Sequence, residues 1–243
     1  MSISRFSRYL LRTTDVEAAA AFYDALLGGR GDGIVLLHEG AIARGARPHW
    51  LGHVQVRELG GVEALAARFV ERGAVRLGPA PGVADFVVLR DPGGALVALT
   101  EGAAPSSAGV VWHQLNTRDP ERAAADYSAL FGWSCGKKLD LGLLGHHQRV
   151  AFGADETAVG LISDVKGRPE VHTHWLFFFA VPSLDVAVER VRSLGGVVIG
   201  PIEISNGVRV AACDDVQGAA FGLIEPEAAA FLAREPTLTE PST

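Results

Sequence analysis

The chain has 243 residues, of which 48 % are hydrophobic and 21 % charged, and its formal net charge is −6. This composition is typical of a globular protein with a core, and the length fits one large or two small domains. The negative charge and the lack of a basic block argue against nucleic acid or an anionic membrane as the main partner. No apolar run is long enough to span a bilayer.

The expected compartment follows from two further features of the sequence. The N-terminal residues carry no signal-peptide pattern. Cys135 and Cys213 lie in unrelated contexts, which favours two free thiols over a disulfide. We therefore expect a cytoplasmic protein whose partner is a small molecule, with a homodimer left as an open option.

The first half of the chain alternates predicted strands and helices. Strands show apolar residues at every second position, and helices show them at a spacing of three to four. The predicted elements are strands over 8–14, 49–56, 86–89 and 96–100 and helices over 16–27 and 62–71. The first helix is expected to end at Gly28-Gly29, because glycine readily adopts the backbone conformation of a helix end.

The second half repeats this order. The predicted elements are strands over 111–117, 175–181, 208–212 and 219–224 and helices over 120–130 and 184–194. Asp119 and Ser183 are expected to cap the two helices, and Pro120 suits a first helical position.

An internal repeat links the two halves. Residues 19–29 read AAAFYDALLGG and residues 123–133 read AAADYSALFGW, each after an aspartate, Asp15 or Asp119. The turns 91–94 (DPGG) and 215–218 (DVQG) also match, as do the Gly-Pro pairs at 78–79 and 200–201. A repeat of this length predicts an α+β protein of two tandem domains, each made of paired βαβββ units that form a curved sheet around a pocket.

The domain boundaries follow from the repeat and from composition. We expect a first domain over 1–102, a linker of small polar residues over 103–109, a second domain over 110–228 and a flexible tail over 229–243.

The repeated segments resemble the vicinal-oxygen-chelate superfamily, which includes glyoxalase I, bleomycin-resistance proteins and extradiol dioxygenases. The resemblance covers nearly the whole chain and implies the tandem fold. Metal-binding members carry a His on the first strand, a His or Glu on the fifth and a Glu on the last. The resemblance places these positions at Arg8, Leu51, Ala98, Trp112, Leu176 and Gly222. None of these is a metal ligand, so the resemblance implies a metal-independent protein without a cofactor.

In the first half, strand alternation puts Arg8, Arg12, His49 and His53 on the face that holds the metal in such relatives. Arginine can bind a carboxylate or phenolate with two hydrogen bonds, and histidine can move a proton near neutral pH. In the alternative interpretation, Arg8 and Arg12 lie in solvent on an edge strand and His49 lies in a loop. A shift of one residue would reverse every face.

In the second half, the same face carries Trp112, Gln114, Asn116, His174 and Phe178. Trp112 is a platform on which an aromatic ligand can stack, and Gln114 and Asn116 can orient the ligand by hydrogen bonds. In the alternative interpretation, Trp112 packs into a core and closes the pocket.

Three functions fit these residues. The first is a metal-free isomerase, cyclase or lyase acting on a small aromatic or polyketide-like molecule by acid–base chemistry. Its expected catalytic residues are His53, His174 and Arg8, and its expected ligand-binding residues are Arg12, His49, Trp112, Gln114, Asn116 and Phe178. The second is a binding protein that sequesters a drug without turnover. The third is a metal-dependent dioxygenase or lyase with His113, His172 and His174 as substitute ligands, although no acid lies at a matching position.

Overall fold

The structure is a computed structural model that describes residues 4–29, 33–56, 60–102, 109–140, 146–153, 157–205 and 207–234. The strands of the first half are β1 (Arg5–Thr13), β2 (Ile34–Leu36), β3 (His49–Gln55), β4 (Val75–Gly78), β5 (Phe86–Arg90) and β6 (Leu96–Thr100). Its helices are α1 (Val16–Leu27), α2 (Glu39–Ile42) and α3 (Gly61–Glu71).

The strands of the second half are β7 (Val110–Thr117), β8 (Ser134–Asp140), β9 (His146–Ala151), β10 (Gly160–Asp164), β11 (His174–Ala180), β12 (Val197–Ser205), β13 (Val208–Asp214) and β14 (Ala220–Ile224). Its helices are α4 (Pro120–Phe131), α5 (Leu184–Ser193) and α6 (Pro226–Arg234).

Each half of the chain builds its own mixed sheet. Within the described residues, the first sheet has the order β2-β1-β3-β6-β5-β4 and the second the order β12-β13-β14-β11-β7-β10-β9-β8. The two tandem α+β halves predicted from the repeat are therefore present. Of the predicted linker, residues 103–108 lie outside the described ranges.

The helices begin where the sequence predicts them, because side chains satisfy their first backbone N–H groups. The Asp15 carboxylate accepts a hydrogen bond from Ala18 N at 3.0 Å, and Asp119 accepts one from Arg122 N at 3.2 Å. Gly28 ends α1 with a φ of 74°, a left-handed conformation that favours glycine.

The last strand of each half is followed by a glutamate that caps a helix of the same half, α3 in the first half and α5 in the second. Glu101 Oε1 accepts a hydrogen bond from Val62 N at 2.9 Å, and Glu225 Oε1 accepts one from Leu184 N at 2.9 Å. These two acids, which terminate predicted strands, therefore fix the position of α3 and α5 against their sheets.

Two elements differ from the sequence-based expectation. In the first half, α1 is followed directly by the short parallel strand β2, whereas α4 is followed by the β8–β9 pair before the parallel strand β10. The first unit is therefore shorter than βαβββ in its described residues. Residues 229–234, assigned from sequence to a flexible tail, belong to helix α6, which packs on the second sheet.

The two sheets pack back to back through a shared aromatic core. The Trp50 ring of β3 lies 5.0 Å from the Phe179 ring of β11. Beside it, Gly52 leaves room for Phe177, because a Cβ atom at Gly52 would lie only 2.6 Å from that ring. The absence of a side chain at Gly52 thus allows the sheets to approach closely.

Two matching bridges connect the halves. Tyr23 of α1 donates a hydrogen bond to Asp215 Oδ2 of the second half at 3.3 Å and accepts one from Trp50 Nε1 at 2.9 Å. Tyr127 of α4 likewise donates to Asp91 Oδ2 of the first half at 3.0 Å and accepts from Trp175 Nε1 at 3.1 Å. The other carboxylate oxygen of Asp91 and of Asp215 accepts backbone N–H groups of its own turn.

We expect Tyr23→Phe and Tyr127→Phe each to lower the free energy of unfolding by about 1–3 kcal/mol. Each change leaves a buried indole N–H without its acceptor and removes the donor to a buried carboxylate. Urea denaturation measures the change, and Glu17→Gln on the exposed side of α1 is the control. Unchanged stability in both tyrosine variants would contradict this role for the bridges.

His113 lies at the junction of the two sheets. Its Nε2 accepts a hydrogen bond from the Tyr9 hydroxyl at 2.6 Å, its Nδ1 donates to Val159 O at 2.8 Å, and its ring stacks on Phe6 with centroids 5.1 Å apart. Burial lowers the pKa of His113 from 6.5 to about 4, although the bond to Val159 acts in the opposite direction. The imidazole is therefore a neutral part of the core.

Acid should weaken the fold through His113. Because its folded-state pKa is about 4 and its unfolded pKa is 6.5, the unfolded chain takes up the proton first as the pH falls. Its contribution to stability is complete above pH 6.5 and is lost progressively towards pH 4. In urea titrations across this window we expect a shallower pH dependence for His113→Gln, with exposed His38→Gln as the control. An unchanged slope would contradict the assignment.

Both cysteines of the described residues, Cys135 and Cys213, are free thiols. No helix in the described ranges combines the length and apolar character that crossing a bilayer requires.

Candidate functional site

Four of the predicted site residues share one face of the first sheet. The pairing of β1 with β3 sets Arg8 opposite His53, Leu10 opposite Leu51 and Arg12 opposite His49. The intervening residues Tyr9, Leu11, Trp50 and Val54 belong to the core on the other side. These six paired residues define what we call the first pocket face.

The alternative interpretation, with both arginines in solvent on an edge strand, fits Arg8 but not Arg12, because β2 pairs with β1 only at Leu11, Arg12 and Thr13 and Arg8 is exposed. β1 lies between β2 and β3 in the sheet, and His49 is the first residue of β3 rather than part of a loop. Arg8 is exposed, Arg12 and His49 are half-buried, and His53 is only 2 % exposed.

The first pocket face contains polar atoms that have lost water without gaining a partner. Among the described residues, His53 Nε2 and Arg12 Nε are buried and make no hydrogen bond. A buried polar group without a partner costs about 1–3 kcal/mol. Such groups mark positions where a water molecule, an ion or a ligand can complete the hydrogen bonding.

The electrostatics of this face keep its imidazoles neutral. Burial, together with the positive charges of Arg8 and Arg12, lowers the pKa of His53 to about 3. Burial is also the main cause of the lowered pKa of His49, with a contribution from Arg12. His49 Nδ1 donates to Arg47 O at 2.7 Å, which leaves its Nε2 as an acceptor.

Sequence reasoning missed Phe86 of β5. Its ring centroid lies 5.8 Å from that of His53, and Phe86 pairs with Thr100 in the strand next to β3. It supplies an aromatic surface beside the buried imidazole. Extending the strand alternation from β3 through β6 to β5 would have found it.

The residues of this face do not fit a metal ion. Register places Arg8, His53 and Ala98 in one row across β1, β3 and β6. The β3 residue beside Arg8 is therefore His53. The resemblance gives Leu51, two residues earlier on β3, as the metal-ligand position of this strand. One imidazole beside a guanidinium and a methyl group does not provide the donors that a divalent cation requires.

The corresponding row of the second sheet is apolar. It consists of Trp112 of β7, Phe178 of β11 and Gly222 of β14. The β11 residue in this row is therefore Phe178, two residues after Leu176, the position expected from the resemblance. A Cβ atom at Gly222 would lie 2.3 Å from the Phe178 ring, which shows that this ring covers the last strand.

Helix α6 covers this apolar row. Ala229 and Leu232 of α6 belong to one buried cluster with Trp112, Leu176 and Phe178. The end of the helix is held by Arg149, which donates a hydrogen bond to Leu232 O, and by Ala158 N, which donates to Ala233 O at 3.3 Å. This packing matches the interpretation in which Trp112 closes the second pocket.

The polar residues expected to work with Trp112 bond to each other. Gln114 Nε2 donates to Asn116 Oδ1 at 2.8 Å, Asn116 Nδ2 lies 3.4 Å from His174 Nε2, and His174 Nδ1 donates to His172 O at 2.8 Å. Burial lowers the pKa of His174 to about 4; the bond to His172 O opposes this shift, and the electrostatic effect of the His172 side chain adds to it. His174 is therefore already hydrogen-bonded at both nitrogens.

The substitute metal ligands considered from sequence do not come together. His172 and His174 stack with ring centroids 4.3 Å apart, but His113 bonds to Tyr9 on the opposite face of β7. In the described part of the chain, no group of three or more His, Cys, Asp or Glu residues is arranged to hold a metal ion.

Comparison with proteins of known structure identifies the fold. No protein-family model matches the chain. The dioxygenase LapB from Pseudomonas sp. KL28 superposes with a TM-score of 0.60 at 14 % identity, over 100 % of this chain and 97 % of LapB. Homoprotocatechuate 2,3-dioxygenase from Arthrobacter globiformis gives a TM-score of 0.60 at 15 % identity, over 92 % and 80 %. The chain therefore has the two-domain α+β fold of the extradiol dioxygenases, a vicinal-oxygen-chelate fold, as the repeat predicted.

Two curated proteins are similar in sequence. The anthracycline biosynthesis proteins DauV of Streptomyces sp. (strain C5) and DnrV of Streptomyces peucetius are each 27 % identical over 129 residues. The match covers 46 % of this chain and 45 % of each relative, so the chain spans less than half of their length. The similarity is distant and partial.

The role of α6 can be tested by a charge on its buried side. Leu232→Asp should destabilise the protein by a few kcal/mol and increase the fluorescence of an added hydrophobic dye, because a carboxylate cannot stay in the apolar cluster. Phe231→Asp, which places the same charge on the more exposed side of the helix, is the control. Equal dye binding by both variants would contradict the covering role.

Proposed function

We propose that the protein binds a small anionic aromatic molecule of the polyketide type on the first pocket face and acts on it by metal-independent acid–base chemistry. The observation that carries this proposal is the pair of buried atoms without partners, His53 Nε2 and Arg12 Nε, between aromatic and cationic side chains. The partial similarity to two anthracycline biosynthesis proteins supports an aromatic polyketide as the ligand class.

The proposed chemistry is the movement of a proton next to a carbonyl group. His53 Nε2 takes a proton from the carbon beside the carbonyl, and the electron pair moves to the carbonyl oxygen. The resulting enolate is stabilised by the guanidinium group of Arg8, which lies opposite His53 in the sheet. Return of the proton from His53 to another atom of the molecule completes an isomerase-type reaction without any added reactant.

His53 suits this role once a ligand is bound. With a pKa of about 3 it is deprotonated at neutral pH, as a general base must be, but it is a weak one. An anionic ligand offsets the positive charges of Arg8 and Arg12, which are among the causes of the low pKa. Binding therefore raises the basicity of His53 where it is needed.

The same low pKa favours a second function, in which the protein binds the molecule without changing it. A base this weak leaves the bound compound unaltered if the ligand does not neutralise the arginines. The ligand contacts are the same in both functions, and only turnover separates them.

The ketone 6-carboxy-1-tetralone, which is anionic at neutral pH and carries its carbonyl on a fused ring, distinguishes the two functions. In D₂O we expect the protein to accelerate deuterium exchange at the carbon next to the carbonyl, measured by NMR. His53→Gln should slow this exchange by about 100-fold or more with little loss of binding. Arg90→Gln, a charge change on β5, is the control.

Binding of the tetralone without accelerated exchange by the native protein would support the second function. Loss of binding and exchange together in His53→Gln would show that His53 only holds the ligand. A native protein that does not bind anionic fused-ring ketones would contradict both functions.

A further inference from the structure

The first pocket face has a polar region at each end and an apolar middle. Its pairs run Arg8–His53, then Leu10–Leu51, then Arg12–His49 along the two strands. Since a strand rises about 3.3 Å per residue, the two arginine Cα atoms are about 13 Å apart. The leucines between them are buried.

Each end combines a cation with a neutral imidazole acceptor. At one end, His53 has its Nε2 buried without a partner among the described residues, opposite exposed Arg8. At the other end, Arg12 Nε is also buried without a hydrogen-bond partner among the described residues, and the bond from His49 Nδ1 to Arg47 O orients the His49 ring. Arg12 Nε–H can therefore donate to an acidic ligand oxygen at one end, and at the other end exposed Arg8 supplies the donors beside the acceptor His53 Nε2.

The apolar middle suits a flat ring system. Leu10 and Leu51 lie in one buried row, and Ala98 lies beside His53 on the neighbouring strand, so only apolar side chains separate the two polar pairs. Phe86 adds an aromatic edge at the His53 end. Charge-assisted hydrogen bonds at each end would hold such a ring in one orientation.

We infer that the ligand of the first pocket face is an elongated fused-ring molecule with an oxygen-bearing acidic group at each end, one bound by the guanidinium group of Arg8 and the other by that of Arg12. This inference rests on the proposed function and specifies its ligand. A molecule with one such group would satisfy one end and leave the other without a partner.

Two commercial dyes test the inference. Anthraquinone-2,6-disulfonate carries sulfonates at opposite ends of a flat three-ring frame, and anthraquinone-2-sulfonate carries only one. At an ionic strength near 0.15 M, which screens distant charges, we expect the disulfonate to bind the native protein at least about tenfold more tightly. Benzene-1,3-disulfonate, a dianion too short to reach both ends, should bind no better than the monosulfonate.

Variants assign the gain to the two ends. Arg8→Met and Arg12→Met should each reduce the affinity for the disulfonate to about that for the monosulfonate. Arg90→Met removes the same charge from an exposed position on β5, and it should leave the tenfold difference intact. Methionine keeps most of the apolar length of arginine, and urea denaturation shows whether each variant is folded.

The outcomes separate this inference from the proposed function. Equal affinity for the two dyes, reduced in Arg12→Met, would overturn the two-ended site but leave an anionic aromatic ligand on this face. An equal loss in Arg90→Met and Arg8→Met would mean diffuse charge attraction and would also overturn the inference. No binding of either dye would contradict the proposed function itself.

Discussion

The back-to-back contact between the two sheets is the constraint on which the site depends. The aspartate in the turn of each half accepts a hydrogen bond from a tyrosine of the other half. Each tyrosine in turn accepts a hydrogen bond from the indole N–H of a tryptophan on a central strand of its own half. Because these bonds are buried, the two halves cannot slide past one another without leaving polar groups unpaired. One side of each central strand is thereby fixed in the core, and the opposite side is left for the pocket faces.

This arrangement explains why the alternation of residues along β1 and β3 predicted which side chains share one face of the sheet. Tyr9 and Leu11 are committed to the shared core, so Arg8 and Arg12 must lie on the other side of the strand. The row across the strands could not be read in the same way. The sequence of one strand does not determine how it aligns with its neighbour. In the structure the β3 residue opposite Arg8 is His53, two residues beyond Leu51 on the same face.

Other features lay beyond the sequence because their cause is tertiary. The repeat reveals that Tyr23 matches Tyr127 and Asp91 matches Asp215, but the crossing of these pairs between halves depends on how the sheets pack. Helix α6 has a sequence that resembles a loose tail. Its order comes from covering Trp112 and Phe178, since a short helix has little stability of its own.

The pocket faces of the two halves therefore differ in how far their polar groups are satisfied. In the second half, aromatic side chains and α6 fill the pocket face, and the remaining polar groups, Gln114, Asn116 and His174, satisfy one another. In the first half, cationic and imidazole groups remain, and two of their buried atoms are without partners among the described residues. Unsatisfied buried groups oppose folding, whereas an anionic ligand would satisfy them and stabilise the folded state through its own binding. This difference is the reason why the proposed ligand site lies in the first half.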